Sequence, residues 1–137
     1  MFELEGIDHV ALAVRDVARS ANWYIEVLGF ERRYEGMWNG VPVFIGKGHT
    51  ALALFPAREQ ALSSTNRGER IGMLHLAFRA THAEFAAAQR ELRAREISFG
   101  FEDHEISHSI YFEDPDGIRL EITTYEVGDG AAPVAGD

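Results

Sequence analysis

The chain contains no cysteine. Disulfide frameworks and thiolate zinc sites are therefore excluded, and any bound metal must be held by His, Asp or Glu. Positive charge is also scarce: 13 Lys and Arg stand against 22 Asp and Glu, for a net charge of -9. The acidic residues spread along the chain instead of forming a tail. Such a surface repels phosphate backbones and anionic lipid, so neither nucleic acid nor a membrane is expected as a partner. No run of about 18 apolar residues occurs, and the first residues lack the basic region, apolar run and small-residue site of a signal peptide. A cytoplasmic location is the resulting expectation. What is present is 137 residues of 46% hydrophobic composition, enough for one domain with a core and too little for two independent ones.

The pattern along the chain repeats itself. Ile7-Asp8-His9-Val10-Ala11-Leu12-Ala13-Val14 alternates in the manner of a strand, and Met73-Leu74-His75-Leu76-Ala77-Phe78 does so with His and Ala in matching register. Each strand runs into a helix. In the first helix, Val17, Ala21, Tyr24, Ile25 and Leu28 lie on one face and Gly29 supplies the stop. In the second, Thr81 and Glu84 form a capping box ahead of Phe85, Ala88 and Leu92. A short strand follows each helix, over residues 30–34 and 97–101, and then a hairpin. The hairpins pair residues 41–45 with 51–55 and residues 109–113 with 118–123, around Gly46-Lys47-Gly48-His49 and Asp114-Pro115-Asp116-Gly117.

The expected fold is thus α+β, with two βαβββ modules at about residues 5–56 and 71–125. They would form a cupped mixed β-sheet with helices on its convex side, as one domain over residues 1–126. Residues 56–70 read as the connection, and residues 127–137, rich in Gly, Ala, Asp and Pro, as a disordered tail. Exposed outer strand edges predict a homodimer, with the modules paired within a chain or exchanged between subunits.

Side chains alternate across a strand, which sorts the polar residues by face. Val10, Leu12 and Val14 form a bulky face toward the helix, leaving His9 with Ala11 and Ala13 on the other. His75 and Ala77 repeat that arrangement, and Glu121 lies opposite the core face of Ile118, Leu120 and Ile122. Aligning Phe44 with Phe112 across the hairpins brings Ala53 to the position of Glu121. Of four equivalent positions, three carry ligand-type residues and one carries alanine. A set of two His and one carboxylate with open positions suits one divalent metal, Fe(II) first, with Mn(II), Ni(II) and Zn(II) also accepting it. Trp38, on the loop Gly36-Met37-Trp38-Asn39-Gly40, together with Phe55 and Arg119, is expected to line the cup and bind a small-molecule substrate.

Three segments give the chain a family resemblance: Asp8-His9-Val10-Ala11-Leu12, then Asp16-Val17-x2-Ser20-x2-Trp23-Tyr24-x3-Leu28-Gly29-Phe30, and Ser109-Ile110-Tyr111-Phe112-Glu113-Asp114-Pro115-Asp116-Gly117-Ile118-Arg119-Leu120-Glu121. In these it resembles the vicinal oxygen chelate superfamily, which includes glyoxalase I, extradiol dioxygenases, methylmalonyl-CoA epimerase, fosfomycin-resistance enzymes and bleomycin-binding proteins. The resemblance covers about residues 5–125. It implies a metal-dependent enzyme whose substrate chelates the metal through oxygens. The closing segment is also similar to the extradiol dioxygenase signature through His104, Ile110, Tyr111, Asp114, Pro115, Gly117 and Glu121. That likeness implies catalytic roles for Tyr111 with His104 or His108 in a ring-cleaving oxidoreductase. A glyoxalase-like lyase or isomerase is the alternative, although those members use a fourth protein ligand where this chain has Ala53. A metal-free binding protein of the bleomycin-resistance type is the third reading.

Overall fold

The structure, a computed structural model, describes residues 1–58 and 72–128. The chain divides into two compact units, Met1–Thr65 and Asn66–Asp137. The expected connection and tail therefore fall largely outside the described residues.

In the first unit, strand β1 (Val10–Val14) leads into helix α1 (Val17–Leu28), followed by β2 (Glu31–Arg33), β3 (Val43–Lys47) and β4 (Thr50–Pro56). Asp16 caps α1 by accepting from the Arg19 amide at 3.0 Å. Gly29 ends the helix in the left-handed conformation, φ 74°, with its N–H on the Ile25 carbonyl. The sheet runs β1-β4-β3-β2, with β1 and β4 parallel and the other pairs antiparallel. Helix α1 packs on β3 and β4. Leu12, Val14, Ala21, Tyr24, Ile45, Leu52 and Leu54 are buried in the core of this unit.

The second unit repeats the order: β5 (Leu76–Arg79), α2 (His82–Ala94), β6 (Gly100–Asp103), β7 (His108–Glu113) and β8 (Arg119–Thr124), with sheet order β5-β8-β7-β6. Thr81 caps α2 by accepting from the Glu84 amide at 3.2 Å. The helix lies against β8, and Phe85, Leu92, Ile110, Phe112, Leu120 and Ile122 form the core. The α+β architecture of two βαβββ units is the one the sequence predicts. Among the described residues, no helix is long and apolar enough to cross a membrane.

Several boundaries and one register differ from expectation: β3, for one, lies at Val43–Lys47, two residues later than read. β1 and β5 begin at Val10 and Leu76, so His9 and His75 each stand one residue ahead of their strand. β6 lies at Gly100–Asp103, three residues later than read. In the hairpins, Ala53 pairs with Phe44 but Glu121 pairs with Tyr111, so Tyr111 and not Phe112 is the counterpart of Phe44. The first hairpin closes at the pair Lys47 and Thr50, the second only at Glu113 and Arg119. The longer turn moves the register by one residue. Ala53 and Glu121 remain equivalent, because each lies beside the alanine two residues after a candidate His, Ala11 in one parallel ladder and Ala77 in the other.

Candidate active site

In the second unit, alternation puts Leu120 and Ile122 toward α2 and Glu121 and Thr123 on the opposite face. The same rule applied to β7 gives that face Ser109 and Tyr111. His75, just ahead of β5, reaches over it: its Nε2 stands 2.9 Å from Glu121 Oε1, and its ring meets Tyr111 edge-on at 5.7 Å. The other carboxylate oxygen, Oε2, accepts from Ser109 Oγ at 2.7 Å, and Ser109 in turn lies 3.0 Å from Thr123 Oγ1. Glu121 is buried and both of its oxygens have partners. That satisfies the condition under which a carboxylate tolerates desolvation.

Tyr111 anchors a second chain of contacts. His104 Nε2 is 3.1 Å from its phenol oxygen and 3.4 Å from Glu102 Oε2. A carboxylate beside that nitrogen favours the tautomer with the proton there, where it faces both Glu102 and the Tyr111 oxygen. The proton of Tyr111 is then available to the Glu121 side. Burial, followed by the negative charges of Glu121 and Glu102, raises the Tyr111 pKa above its ordinary 10.0. Tyr111 therefore stays a neutral hydrogen-bond donor at pH 7. The Arg119 guanidinium lies 4.6 Å from the Tyr111 ring centroid, which places this expected substrate contact at the rim of the group.

His108 does not join this group. It stands three residues from Tyr111 along one strand, an odd offset that turns it to the other face. There its ring packs on Phe101, which in turn touches Phe85 of α2. Its Nε2 is 3.6 Å from Asp103 Oδ1. Of the two histidines considered beside Tyr111, the structure brings His104 to it and leaves His108 in the layer between sheet and helix.

The first unit carries the apolar counterpart. The ring of His9 packs against Phe44 at 5.4 Å, as His75 does against Tyr111, while Ala53 occupies the position of Glu121. His9 Nδ1 contacts Asp8 Oδ2 at 2.8 Å. Trp38 joins Tyr34 and Phe44 in an aromatic group, with centroid separations between 5.2 and 6.0 Å. Tyr34, Trp38 and Asn39 hold left-handed backbone angles, φ 54°, 56° and 54°. Such conformations cost on the order of 1 kcal/mol or more each, so the surroundings must enforce them. Phe55, two residues beyond Ala53 on β4, shares its face and is partly exposed.

The donor chemistry of these residues fits a divalent metal. Two donors bound at about 2.1 Å and at right angles stand about 3.0 Å apart. The 2.9 Å between His75 Nε2 and Glu121 Oε1 matches that spacing as well as it matches a hydrogen bond. The contact of Asp8 with His9 Nδ1 is of the kind that, in metal sites, orients an imidazole and leaves Nε2 outward. Among the described residues, no three His, Asp or Glu side chains gather into one metal-binding group, and His9 belongs to the other unit. Strand alternation puts Thr123 on the face of Glu121 in the sequence, but sequence reasoning did not single out Ser109, Glu102 or Asp8 as part of the site. Period-two spacing from Tyr111 would have pointed to Ser109.

A sequence model of the Glyoxalase/Bleomycin resistance protein/Dioxygenase superfamily matches residues 6–122. The Escherichia coli protein YaeR is 28% identical over 129 residues, covering 89% of this chain and 98% of that one. Glutathione transferase FosA of Serratia marcescens is 27% identical over 133 residues, covering 96% and 87%. Among solved structures, lactoylglutathione lyase from Agrobacterium tumefaciens superposes with a TM-score of 0.70 at 25% identity, covering 91% of this chain and 97% of its own. With a family match across nearly all of the described residues, and with two βαβββ units in the matching order, this chain belongs to the glyoxalase/bleomycin resistance protein/dioxygenase superfamily.

Proposed function

We propose that this protein is a divalent-metal-dependent enzyme acting on a small molecule that offers two adjacent oxygens, with extradiol-type ring cleavage as its reaction. His9, His75 and Glu121 are the ligands, and Fe(II) is the favoured ion. The observation that carries the reading is the contact of His104 Nε2 with Tyr111 at 3.1 Å, on a tyrosine that lies directly across the ladder from Glu121. This joins the His, Tyr and Glu positions of the extradiol-like segment in one connected group. When bound, the metal supplies Lewis-acid stabilisation of the negative charge that develops on substrate oxygens. The protein supplies the rest. Tyr111, kept protonated, donates to a substrate oxygen, and His104, whose Nε2 proton is held beside Glu102, replaces the proton that Tyr111 gives. Trp38, Phe55 and Arg119 are the residues proposed to contact the substrate; Trp38 sits in the aromatic group with Tyr34 and Phe44, and Arg119 lies over Tyr111.

A second reading is a glyoxalase-like lyase or isomerase. It is favoured by two relatives whose names both carry glutathione, the transferase FosA and lactoylglutathione lyase. One set of assays separates the readings. Purified protein is reconstituted anaerobically with Fe(II), Mn(II), Ni(II) or Zn(II), then offered catechols with oxygen or a glutathione hemithioacetal. Oxygen uptake with a ring-opened product is expected for the Fe(II) form. Hemithioacetal turnover with Ni(II) or Zn(II) and no oxygen uptake would replace ring cleavage by the lyase reading. Failure to bind any metal would leave a small-molecule binding protein.

The protein is further proposed to act as a homodimer. β1 and β5 are edge strands, and exposed apolar residues precede them: Ile7 before β1, and Met73 and Leu74 before β5. A monomeric mass by light scattering at micromolar concentration would contradict this.

A further inference from the structure

We infer that Ser109 and Thr123 form a hydroxyl chain that fixes Glu121 as a one-oxygen ligand, making Ser109 a positioning residue for the metal. The inference rests on the metal reading above. It begins with proton counting. An ionised carboxylate only accepts, and each hydroxyl has a single proton to give. Ser109 Oγ lies 2.7 Å from Glu121 Oε2 and 3.0 Å from Thr123 Oγ1, so its proton goes to the carboxylate. That leaves the Thr123 hydroxyl, which lies within reach of both Ser109 Oγ and the His108 carbonyl, the latter at 3.3 Å. Ser109 donates to Glu121, and Thr123 packs its hydroxyl behind Ser109. Hydrogen bonds in such a chain strengthen one another in a buried setting, and all three residues are buried.

The strand register explains why Ser109 is in place. It pairs with Thr123 across the β7 and β8 ladder, one step along the same face from the pair of Tyr111 and Glu121, and so reaches Glu121 diagonally. With Oε2 committed to Ser109, only Oε1 points to His75. A carboxylate with both oxygens unrestrained can chelate an ion and occupy two positions. Held by one oxygen, it would occupy a single position on a bound ion. Ser109 would thus keep Glu121 from taking a second position that substrate could use.

The test measures metal, not turnover. Affinity for Co(II) is determined by titration, and its visible absorption reports coordination. Ser109→Ala is expected to weaken binding about 10- to 100-fold and to change the Co(II) spectrum, while Ser109→Thr, which keeps the hydroxyl, stays near the parent in both. Thr123→Val, close in shape and lacking the hydroxyl, should show a smaller loss in the same direction. Parent-like affinity and spectrum in Ser109→Ala would overturn the proposal. Should Ser109→Ala not fold, the same result in Thr123→Val would overturn it. A parent protein that binds no Co(II) would overturn the metal reading beneath it, an outcome distinct from a variant that matches a metal-binding parent.

Discussion

Removing His9 is the most discriminating perturbation, because His9 is the one candidate ligand contributed by the first unit. If a metal binds only the folded protein, metal at about 100 times its Kd adds about 2.7 kcal/mol of stability. Unfolding entropy near the transition is about 2.1 cal/mol/K per residue, or about 0.29 kcal/mol/K for 137 residues. The melting temperature of the parent should therefore rise by about 9 °C. Loss of one of three ligands weakens a site by at least about 100-fold, as a conservative figure drawn from the cost of losing an outer partner. At the same metal concentration the residual gain is then about 0.4 kcal/mol, or about 1.4 °C. His9→Ala, His75→Ala and Glu121→Ala should all collapse the shift to that size. The quantity to compare is the metal-dependent shift and not the melting temperature itself. Glu121→Ala also leaves Ser109 and His75 without their acceptor, at a cost of about 1–3 kcal/mol in the metal-free protein. Differential scanning calorimetry with and without metal gives both quantities. If His9→Ala keeps the full shift while the other two lose it, the third ligand is not His9. If all three keep it, the metal binds elsewhere.

Four further outcomes are expected. Tyr111→Phe and His104→Ala should each lower kcat by about 100- to 10,000-fold with metal content by elemental analysis unchanged, whereas His108→Ala should act on stability instead. The alkaline limb offers an independent check: the Tyr111 pKa is raised in the fold, so its contribution is fully present below about pH 10 and is lost as pH climbs through the folded value. Urea unfolding of metal-free protein should then lose less stability above pH 10 in Tyr111→Phe than in the parent. Arg119→Met should raise KM with little change in kcat, as removal of a rim contact does; a kcat loss equal to that of Tyr111→Phe would move Arg119 into the chemistry. Finally, Ala53 is 1% exposed between Ala11 and Phe44, so Ala53→Glu should destabilise the metal-free protein by on the order of 2–4 kcal/mol. Metal should restore that loss while oxygen uptake falls, and unchanged metal affinity and oxygen uptake would show that this position does not face the ion.

How much of this the sequence could yield depends on which rule each residue obeys. Helix ends are local, and Gly29 and Thr81 announce theirs through capping chemistry, while the Asp16 cap of α1 is seen in the structure. Strand faces are nearly as legible, because the alternation around His9, His75 and Glu121 follows from the period of the pleat. The hairpin register was not legible. Tyr111 and Phe112 are adjacent aromatics, either of which could answer Phe44, and only the longer second turn decides for Tyr111. His108 illustrates a related limit. The family likeness leaves His104 and His108 as alternatives beside Tyr111, and the odd offset of His108 from Tyr111 within one strand puts those two residues on opposite sides of the sheet.

The corrected register also gives the repeat a chemical sense. At matched positions the first unit presents His9, Phe44 and Ala53, and the second presents His75, Tyr111 and Glu121. A hydroxyl and a carboxylate are thus added to the second unit on an otherwise equivalent frame, and each needs support that the first unit lacks. Glu121 receives it from Ser109 and His75, and Tyr111 from His104. The first unit fills the same region with Tyr34, Trp38 and Phe44, whose side chains need no charge partner. One backbone plan therefore carries two environments. A charged site with its own hydrogen-bonded shell stands in one unit, and an apolar wall with a single imidazole stands in the other.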